Sequence, residues 1–541
     1  MHVFEIVIAL LLGGAGLAAL ARRIGTPYPA LVALAGAVLA VVPGTPTLVL
    51  DPELALALFV APVLLDAAFD ASQRDLRANW QAVAGLALGA VALTIGAVAL
   101  VTRALVPAMP WAAAVALGAI VAPPDAAAAT AVLKQLRPPH RLLVILEGES
   151  LFNDASALFV YRLAVGASIG TLVIGWNVVP MMLGITAGSI LLGIVLARVV
   201  VRLLAGVEDV ATAVILQFVS TFGVWLLAER LYLSGILTTV AFAMAASRWA
   251  ADVTPARIRI PSYAVWEVAV FVLNVLAFIL VGFQLKSITA RLDRFTLMEY
   301  LGIAAVVCAT TILARIAWVT GVAAVSRWRC RPQGDSRPPA VDRVGLSPRA
   351  AALVGWCGMR GIVTLAAALA LPTGGEGRAP FPYRDLILLT AFSVVLGTLV
   401  VQGATVRPLL TRLRLRDDGT VDREVRLARV ETLRAALSAT DGARTDAAAL
   451  VRRRYELQLR RAEADVEAEP PGSAKDAREL AAPDRKDRGS DEDVVRAAMN
   501  AERQRLLALR AEGTIGDAAF QQVEQELDWA ELDAQQLLRS D

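Results

Sequence analysis

Apolar stretches of about 20 residues recur from residue 2 to residue 411, separated by short polar loops. A helix of that length crosses a hydrocarbon core about 30 Å thick. The pattern predicts thirteen membrane-spanning helices and therefore an all-α polytopic membrane protein. The predicted spans lie near residues 2–21, 29–49, 53–71, 80–106, 110–134, 141–166, 178–204, 208–230, 232–250, 263–287, 297–327, 347–371 and 383–411.

Composition and loop charge agree with this prediction. The chain is 57% hydrophobic with a mean hydropathy of +0.60. One set of alternate loops carries 22 Lys and Arg residues and the other about seven. Because basic loops stay in the cytoplasm, we expect the C-terminus inside and the N-terminus outside. No basic segment precedes the first apolar stretch, so we expect no cleavable signal peptide, and three cysteines give no disulfide pattern.

The composition changes at about residue 416. Residues 1–416 carry 32 Lys+Arg against 21 Asp+Glu, whereas residues 417–541 carry 20 against 28. We therefore predict a transmembrane domain over 1–416 and a helical cytoplasmic domain over 417–541. The tail is predicted as two helical blocks, roughly 421–468 and 491–538, joined by a linker rich in proline, glycine and charge.

The tail contains no dinucleotide fingerprint, P-loop or metal-type Cys/His spacing. A regulatory or dimer-stabilising module and an inert extension both remain open, and the sequence identifies no ligand for it. In its second block, apolar residues at alternating three- and four-residue spacing predict an amphipathic packing helix. These residues are Phe520, Val523, Leu527, Ala530, Ala534 and Leu537.

The sixth apolar stretch contains a polar cluster. Glu149 and Asn153 are four residues apart, as are Ser150 and Asp154, so these side chains lie on adjacent strips of one helix face. Ionisable groups at membrane depth are costly and usually functional. The cluster predicts a cation or proton path, with a polar seam that only joins helices as the alternative.

Two other spans are predicted to break. The fifth contains Pro123 and Pro124, which remove two backbone donors, and Asp125 then begins the following half-helix. The twelfth contains Gly358 and Gly361 on either side of an arginine. A pair of interrupted helices in separate halves indicates a midplane site in an inverted-repeat transporter.

These motifs together resemble the bacterial sodium/proton antiporters, in the electroneutral branch of the cation/proton antiporter superfamily. The resemblance covers essentially all of residues 1–416 and extends into the tail. The runs that carry it are Ala122–Asp125, Glu149–Asp154, Phe271–Gly282, Gly358–Pro372 and Glu502–Asp517.

The resemblance implies a homodimer of thirteen-helix protomers in the plasma membrane. The fourth to sixth and eleventh to thirteenth spans would form a mobile core, with the broken fifth and twelfth spans crossing at the ion site. Na⁺ (or K⁺ or Li⁺) and H⁺ would be the transported ions, with no cofactor, no enzymatic activity and no nucleic-acid partner. One cation would be exchanged for one proton.

The resemblance also assigns site residues. Asp154 matches the carboxylate that holds a proton and a cation in turn, and Asn153 matches the amide that marks the electroneutral branch. Ser150 and Asp125 match further Na⁺ ligands, and Asp66 matches an acidic residue at the approach to the site.

Three further charged positions would be structural. Glu149 would pair with Arg315 of the eleventh span, and Arg360 would neutralise the carboxyl end of the facing half-helix. Pro124 departs from the family, which commonly has threonine there, so a hydroxyl and a backbone donor are lost. The fifth span would then contribute carbonyl oxygens, and the ion preference stays open.

Elementary chemistry supports the same reading. Burial disfavours the ionised form of a carboxylate, so Asp154 can exchange a proton for a hard cation. Because both compete for one charge, each crosses in turn, and Na⁺ suits oxygen ligands. K⁺/H⁺ exchange on the same scaffold is one alternative. The other is a membrane sensor or scaffold that signals through its tail without transport.

Overall fold

The computed structural model describes residues 2–41, 54, 56–136, 138–170, 175, 178–289, 292–329, 346–374, 380–415, 417–440, 446–467 and 488–539. These residues form helices and connecting turns, and no β-strand occurs among them. The all-α fold predicted from hydropathy is therefore confirmed. A π-helical turn at Leu56–Val60 leads into α3.

The helices of the apolar part are α1 (His2–Ile24), α2 (Tyr28–Val41), α3 (Ala61–Asp70), α4 (Gln73–Ala78), α5 (Trp80–Leu105), α6 (Trp111–Val121), α7 (Ala126–Leu136), α8 (His140–Ser168), α9 (Val178–Leu204), α10 (Val210–Arg230), α11 (Gly235–Val253), α12 (Ala256–Thr289), α13 (Arg294–Arg329), α14 (Pro348–Trp356), α15 (Ile362–Leu369) and α16 (Arg384–Leu413). The tail forms α17 (Thr420–Thr440), α18 (Asp446–Glu467), α19 (Arg488–Ala511) and α20 (Asp517–Arg539).

Within the described residues, six helices are long and apolar enough to cross a membrane. They are α5, α9, α10, α12, α13 and α16, over Trp80–Leu105, Val178–Leu204, Val210–Arg230, Ala256–Leu280, Arg294–Trp328 and Arg384–Leu413. Most of α9 is not buried by the protein, whereas α16 is largely buried. Helix α9 therefore presents an extended apolar surface outside the protein core.

The apolar helices pack as two groups. In the first group, α5, α6, α7, α8, α13, α14, α15 and α16 contact one another. These helices supply most of the largest buried apolar cluster, which extends into α2 and α12. In the second group, α2 packs along α12, and α9 and α3 pack along α11. Both broken helices, α6–α7 and α14–α15, belong to the first group, so their interruptions lie inside packed protein.

The predicted start of the tenth span was wrong. Helix α12 begins at Ala256 rather than near residue 263, and it contains Pro261. Hydropathy marks the apolar part of a helix, whereas the first turns of α12 are polar. Arg259, expected in a loop, lies on these turns and is buried. Its burial is explained by the tail helix packed against it.

The tail boundaries also differ from the prediction. Each predicted block is two helices, because α17 and α18 are separate, as are α19 and α20. The second break contains Gly513, whose φ of +74° favours glycine. Helix α17 packs against α18, α19 and α20, and α20 also packs against α12. The linker near residues 469–487 lies outside the described residues.

Candidate functional site

The two helix breaks meet. Helix α6 ends at Val121 and α7 begins at Ala126, and the backbone N–H of Asp125 donates to the carbonyl of Met359 at 2.7 Å. The consecutive prolines before Asp125 supply no backbone donors, so the helix cannot continue through them. Asp125 therefore lies at the N-terminus of α7, where the helix dipole favours a carboxylate.

Gly361 permits this crossing. It precedes α15 with an extended backbone, and a Cβ placed on it would lie 1.9 Å from Oδ2 of Asp125. A Cβ on Gly358 would lie 2.5 Å from Cδ of Arg315. The twelfth-span glycines thus provide space at the crossing rather than unusual dihedral angles.

Arg360 lies between the two glycines and is fully buried. Its Nε donates to the carbonyl of Val121 at 3.0 Å and its Nη2 to that of Ala122 at 3.3 Å. Its Nη1 donates to the carbonyl of Gly358. A cation at the carboxyl end of α6 satisfies unpaired carbonyls and opposes the negative end of the helix dipole.

Helix α8 presents its polar face to the first break. Nδ2 of Asn153 donates to the carbonyl of Pro124 at 2.8 Å, and Oγ of Ser150 accepts from the backbone N–H of Ala126 at 3.3 Å. Oδ1 of Asn153 is buried and has no hydrogen-bond partner among the described residues. Asp154 is next in sequence and 7% exposed. Ser150 and Asn153 therefore contact the helix break directly, and Asp154 is close enough to Asp125 for the two carboxyl groups to interact electrostatically.

Glu149 and Arg315 form a buried ion pair beside these residues. Nη2 of Arg315 donates to Oε2 of Glu149 at 2.8 Å, and Nη1 donates to Oε1. The guanidinium also donates to the carbonyl of Val354 at 3.1 Å, at the C-terminal end of α14. The two charged groups therefore pair bidentately, and the guanidinium is held further by a backbone carbonyl.

The cluster is chemically suited to a hard cation or a proton. A buried carboxylate supplies oxygen ligands and a negative charge, and the amide oxygen, unpartnered within the described part of the chain, supplies a further oxygen ligand. The carbonyl of Pro124 already accepts a hydrogen bond from Nδ2 of Asn153. The amide is thereby oriented, and its Oδ1 rather than its Nδ2 remains for a cation.

Asp66 lies elsewhere. The structure places it on the wall of a cavity of about 130 Å³, one helical turn from Asp70. That cavity is lined by α3, α9, α10, α11 and α12 on one side and by the tail on the other. Asp66 is therefore grouped with a cavity next to the tail and not with the hydrogen bonds that Ser150 and Asn153 make at the first helix break.

Several site contacts were not predicted. Oγ1 of Thr398 accepts the backbone N–H of Arg360 at 3.0 Å and so fixes the second break. Tyr28 of α2 and Asn274 of α12 are hydrogen-bonded beside Asp125. Of these residues, only Asn274 stands out in the sequence, as a polar residue within an apolar run. Thr398 and Tyr28 give no comparable signal, because threonine and tyrosine are common in spanning helices.

Comparison with known proteins identifies a family for this chain. The sequence profile described as the transmembrane sodium/hydrogen exchanger matches residues 6–412. Rv2287 of Mycobacterium tuberculosis, named as an uncharacterized Na⁺/H⁺ exchanger, is 32% identical over 438 residues, which is 77% of this chain and 75% of that protein. NhaS1 of Synechocystis, named as a low-affinity Na⁺/H⁺ antiporter, is 28% identical over 72% of this chain and 70% of its own length.

A third relative has a broader name. The sodium, potassium, lithium and rubidium/H⁺ antiporter of Bacillus subtilis is 32% identical over 67% of this chain and 54% of that protein. Among solved structures, MjNhaP1 of Methanocaldococcus jannaschii, a sodium proton antiporter, aligns with a TM-score of 0.58. The alignment covers 76% of this chain and 99% of that one at 17% identity, which shows a common fold.

Proposed function

Because the chain belongs to the sodium/hydrogen exchanger family, we propose that it exchanges Na⁺ or Li⁺ for H⁺ one for one across the bacterial plasma membrane. The observation that carries the proposal is Asp154, a buried carboxylate at a helix break. The preceding residue, Asn153, has an amide oxygen with no hydrogen-bond partner among the residues that the structure describes. Proton and cation compete for its single charge, and that competition couples their movements.

The ion ligands we propose are Asp154, Asn153, Ser150 and Asp125. Asp154 alone changes its charge during the cycle, because Glu149 is neutralised by Arg315. One charge at the site then carries one proton or one cation, and exchange is electroneutral. Ser150 already accepts a backbone hydrogen bond, but a hydroxyl oxygen has a second lone pair for a cation.

We further propose alternating access in a homodimer of thirteen-span protomers with inverted repeats. The group of helices that contains both breaks would move as a unit against the group that contains α2, α3 and α9–α12. Packing within each group supports this division. The proposed topology has the N-terminus outside and the tail in the cytoplasm, on the side of the basic loops. The tail forms ion pairs with Arg74 and Arg259, which lie in those basic loops or next to them. These contacts support the proposed orientation.

K⁺/H⁺ exchange is a second candidate, since a relative is named for four alkali cations. Both candidate functions predict cation-driven proton flux, which a membrane sensor without transport activity would not show. In proteoliposomes with a pH-sensitive dye inside, a Na⁺ gradient should drive proton movement, and choline should not. Comparing the proton flux driven by Na⁺, Li⁺ and K⁺ gives the cation preference. If exchange is electroneutral, an imposed membrane potential should leave the rate of proton flux unchanged. No flux with any of the three cations would overturn the proposal.

A further inference from the structure

The cavity that contains Asp66 has an aromatic wall. Phe69 of α3, Tyr263 and Trp266 of α12 and Phe520 of α20 line it. The rings of Phe69 and Tyr263 meet edge to face with centroids 6.5 Å apart, and Tyr263 keeps 44% of its surface accessible. At about 130 Å³ the cavity is close in size to an engineered apolar cavity of about 150 Å³ that binds benzene. It therefore has room for a ligand of about one aromatic ring.

Unpaired negative charge lies on one side of this cavity. Asp66 and Asp70, one helical turn apart on α3, both line it. Lys134 of α7 interacts electrostatically with both, but its ammonium group pairs with Glu147 at 3.1 Å. Within the described part of the chain, neither aspartate forms an ion pair. Carboxyl groups that lie close together without a cation of their own favour the binding of one.

The positive charges of the opposite wall are already paired. Arg259 of α12 contacts Glu524 at 2.5 Å and Asp528 at 3.2 Å, both on α20. Nε of Arg510 of α19 donates to Oδ1 of Asp517 at 2.7 Å. Carboxylates of the tail thus neutralise both arginines, and the charge left for a ligand is that of the two aspartates on α3.

The neutral polar groups of the wall bond to one another. Nε1 of Trp266 donates to Oε1 of Gln217 at 2.8 Å, and Nε2 of Gln217 donates to Oγ of Ser262 at 3.3 Å. Oγ of Ser220 donates to the backbone carbonyl of Gln217 at 2.8 Å. A bare metal cation needs several oxygen ligands, whereas an organic cation fills apolar space with its own body. The wall therefore suits an organic cation better than a metal ion.

We propose that this cavity binds a small organic cation, a protonated amine on an apolar body of about one ring. The ammonium group lies against Asp66 and Asp70, and the body lies among Phe69, Tyr263 and Phe520. Because aromatic faces attract cations, the same wall recognises both parts of the ligand. This site is separate from the proposed alkali-cation ligands, so it stands whether or not the chain exchanges Na⁺.

The first test titrates benzylammonium calorimetrically into the full chain in detergent at pH 7. Benzyl alcohol keeps the ring without the charge, and methylammonium keeps the charge without the ring. We expect saturable binding of benzylammonium, at least about tenfold tighter than that of either control, because the ligand needs both parts. Equal affinity for benzyl alcohol, or no saturable binding of benzylammonium, would overturn the proposal.

Variants then identify the residues that hold the cation. Asp66→Asn and Asp70→Asn should each weaken benzylammonium binding by at least about tenfold. Ala250→Leu keeps both carboxyl groups and fills part of the cavity, so it should abolish binding. Asp422→Asn, an exposed change in α17 outside the cavity, should bind as wild type does. Size-exclusion chromatography confirms that each variant is folded.

Wild-type affinity in folded Asp66→Asn or in folded Ala250→Leu would refute the site. Loss of binding in Asp154→Asn but not in Asp66→Asn would place the cation at the ion site instead, and would equally refute it. Hydrogen exchange gives an independent location. Benzylammonium, compared with benzyl alcohol, should increase protection in residues 65–70, 262–266 and 517–524, and unchanged protection in all three segments contradicts the proposal.

Discussion

Asp125 and Gly361 are in contact across the two helix breaks: a Cβ on the glycine would lie 1.9 Å from the aspartate Oδ2. The backbone of Gly361 is extended, so any residue could adopt its dihedral angles. The glycine is required because the Asp125 carboxylate occupies the space that a side chain would need. This contact connects the fifth-span break, where ion ligands are proposed, to the twelfth.

We expect Gly361→Ala to displace the Asp125 carboxylate and reduce exchange by at least about tenfold, since a shift of about 1 Å at a site is costly. The measurement is Na⁺-driven proton flux at matched protein levels. Gly302→Ala, on α13 with no atom within 4 Å of the added Cβ, is the control and should retain wild-type flux. Normal flux in Gly361→Ala would show that Asp125 can move without consequence.

Asp154→Asn should abolish exchange while the protein remains folded in the membrane. A neutral amide cannot release a proton or balance a cation, and its volume matches the carboxyl. Proteoliposome flux and size-exclusion behaviour are the two measurements. Asp422→Asn, an exposed change in α17, should leave flux unchanged. Substantial Na⁺-driven proton movement in Asp154→Asn would remove this residue from the proposed mechanism.

Removing either partner of the Glu149–Arg315 pair should destabilise the protein by about 3–5 kcal/mol, because the remaining charge stays buried. The double substitution Glu149→Gln with Arg315→Gln should cost less than the sum. A thermal-unfolding double-mutant cycle measures this coupling. The exposed Arg162–Glu229 pair, at 3.0 Å, provides the control cycle and should show about 0–1 kcal/mol. Additive effects at the buried pair would contradict the expected coupling.

The tail should lose stability between pH 5 and pH 8. Tyr455 donates to Oε2 of Glu502 at 2.9 Å, and burial raises the pKa of Glu502 to about 7. A raised pKa in the folded state means that folding favours the protonated carboxyl, so its contribution is lost as pH rises. The effect amounts to roughly 3 kcal/mol at most.

Hydrogen exchange in α18 and α19 of the full chain measures this loss. Glu502→Gln should remove the dependence on pH in these helices, whereas Glu512→Gln, an exposed change at the end of the same helical region, should preserve it. Protection that is constant from pH 5 to pH 8 in wild type would contradict the assignment to Glu502.

The sequence by itself determined the local features. Hydropathy, summed over a window, predicts helices because burial in lipid depends on composition rather than on partners. The breaks at Pro123 and Pro124 and around Gly358 follow from missing donors and missing side chains, which are properties of single residues. The polar face of α8 follows from helical spacing. Each of these predictions uses residues within about one helical span.

Only the tertiary structure decided which distant residues meet. Arg259 and Asp528 are 269 positions apart. No pattern in the sequence predicts that this loop arginine pairs with this tail carboxylate. The apolar pattern of α20 placed Ala530 on its buried face, but Ala530 is exposed and Glu524 and Asp528 are buried instead. A charged side chain is buried only where a partner compensates its desolvation, and that partner belongs to another element. Hydrophobic periodicity therefore locates an amphipathic helix, while packing decides which of its polar residues are buried.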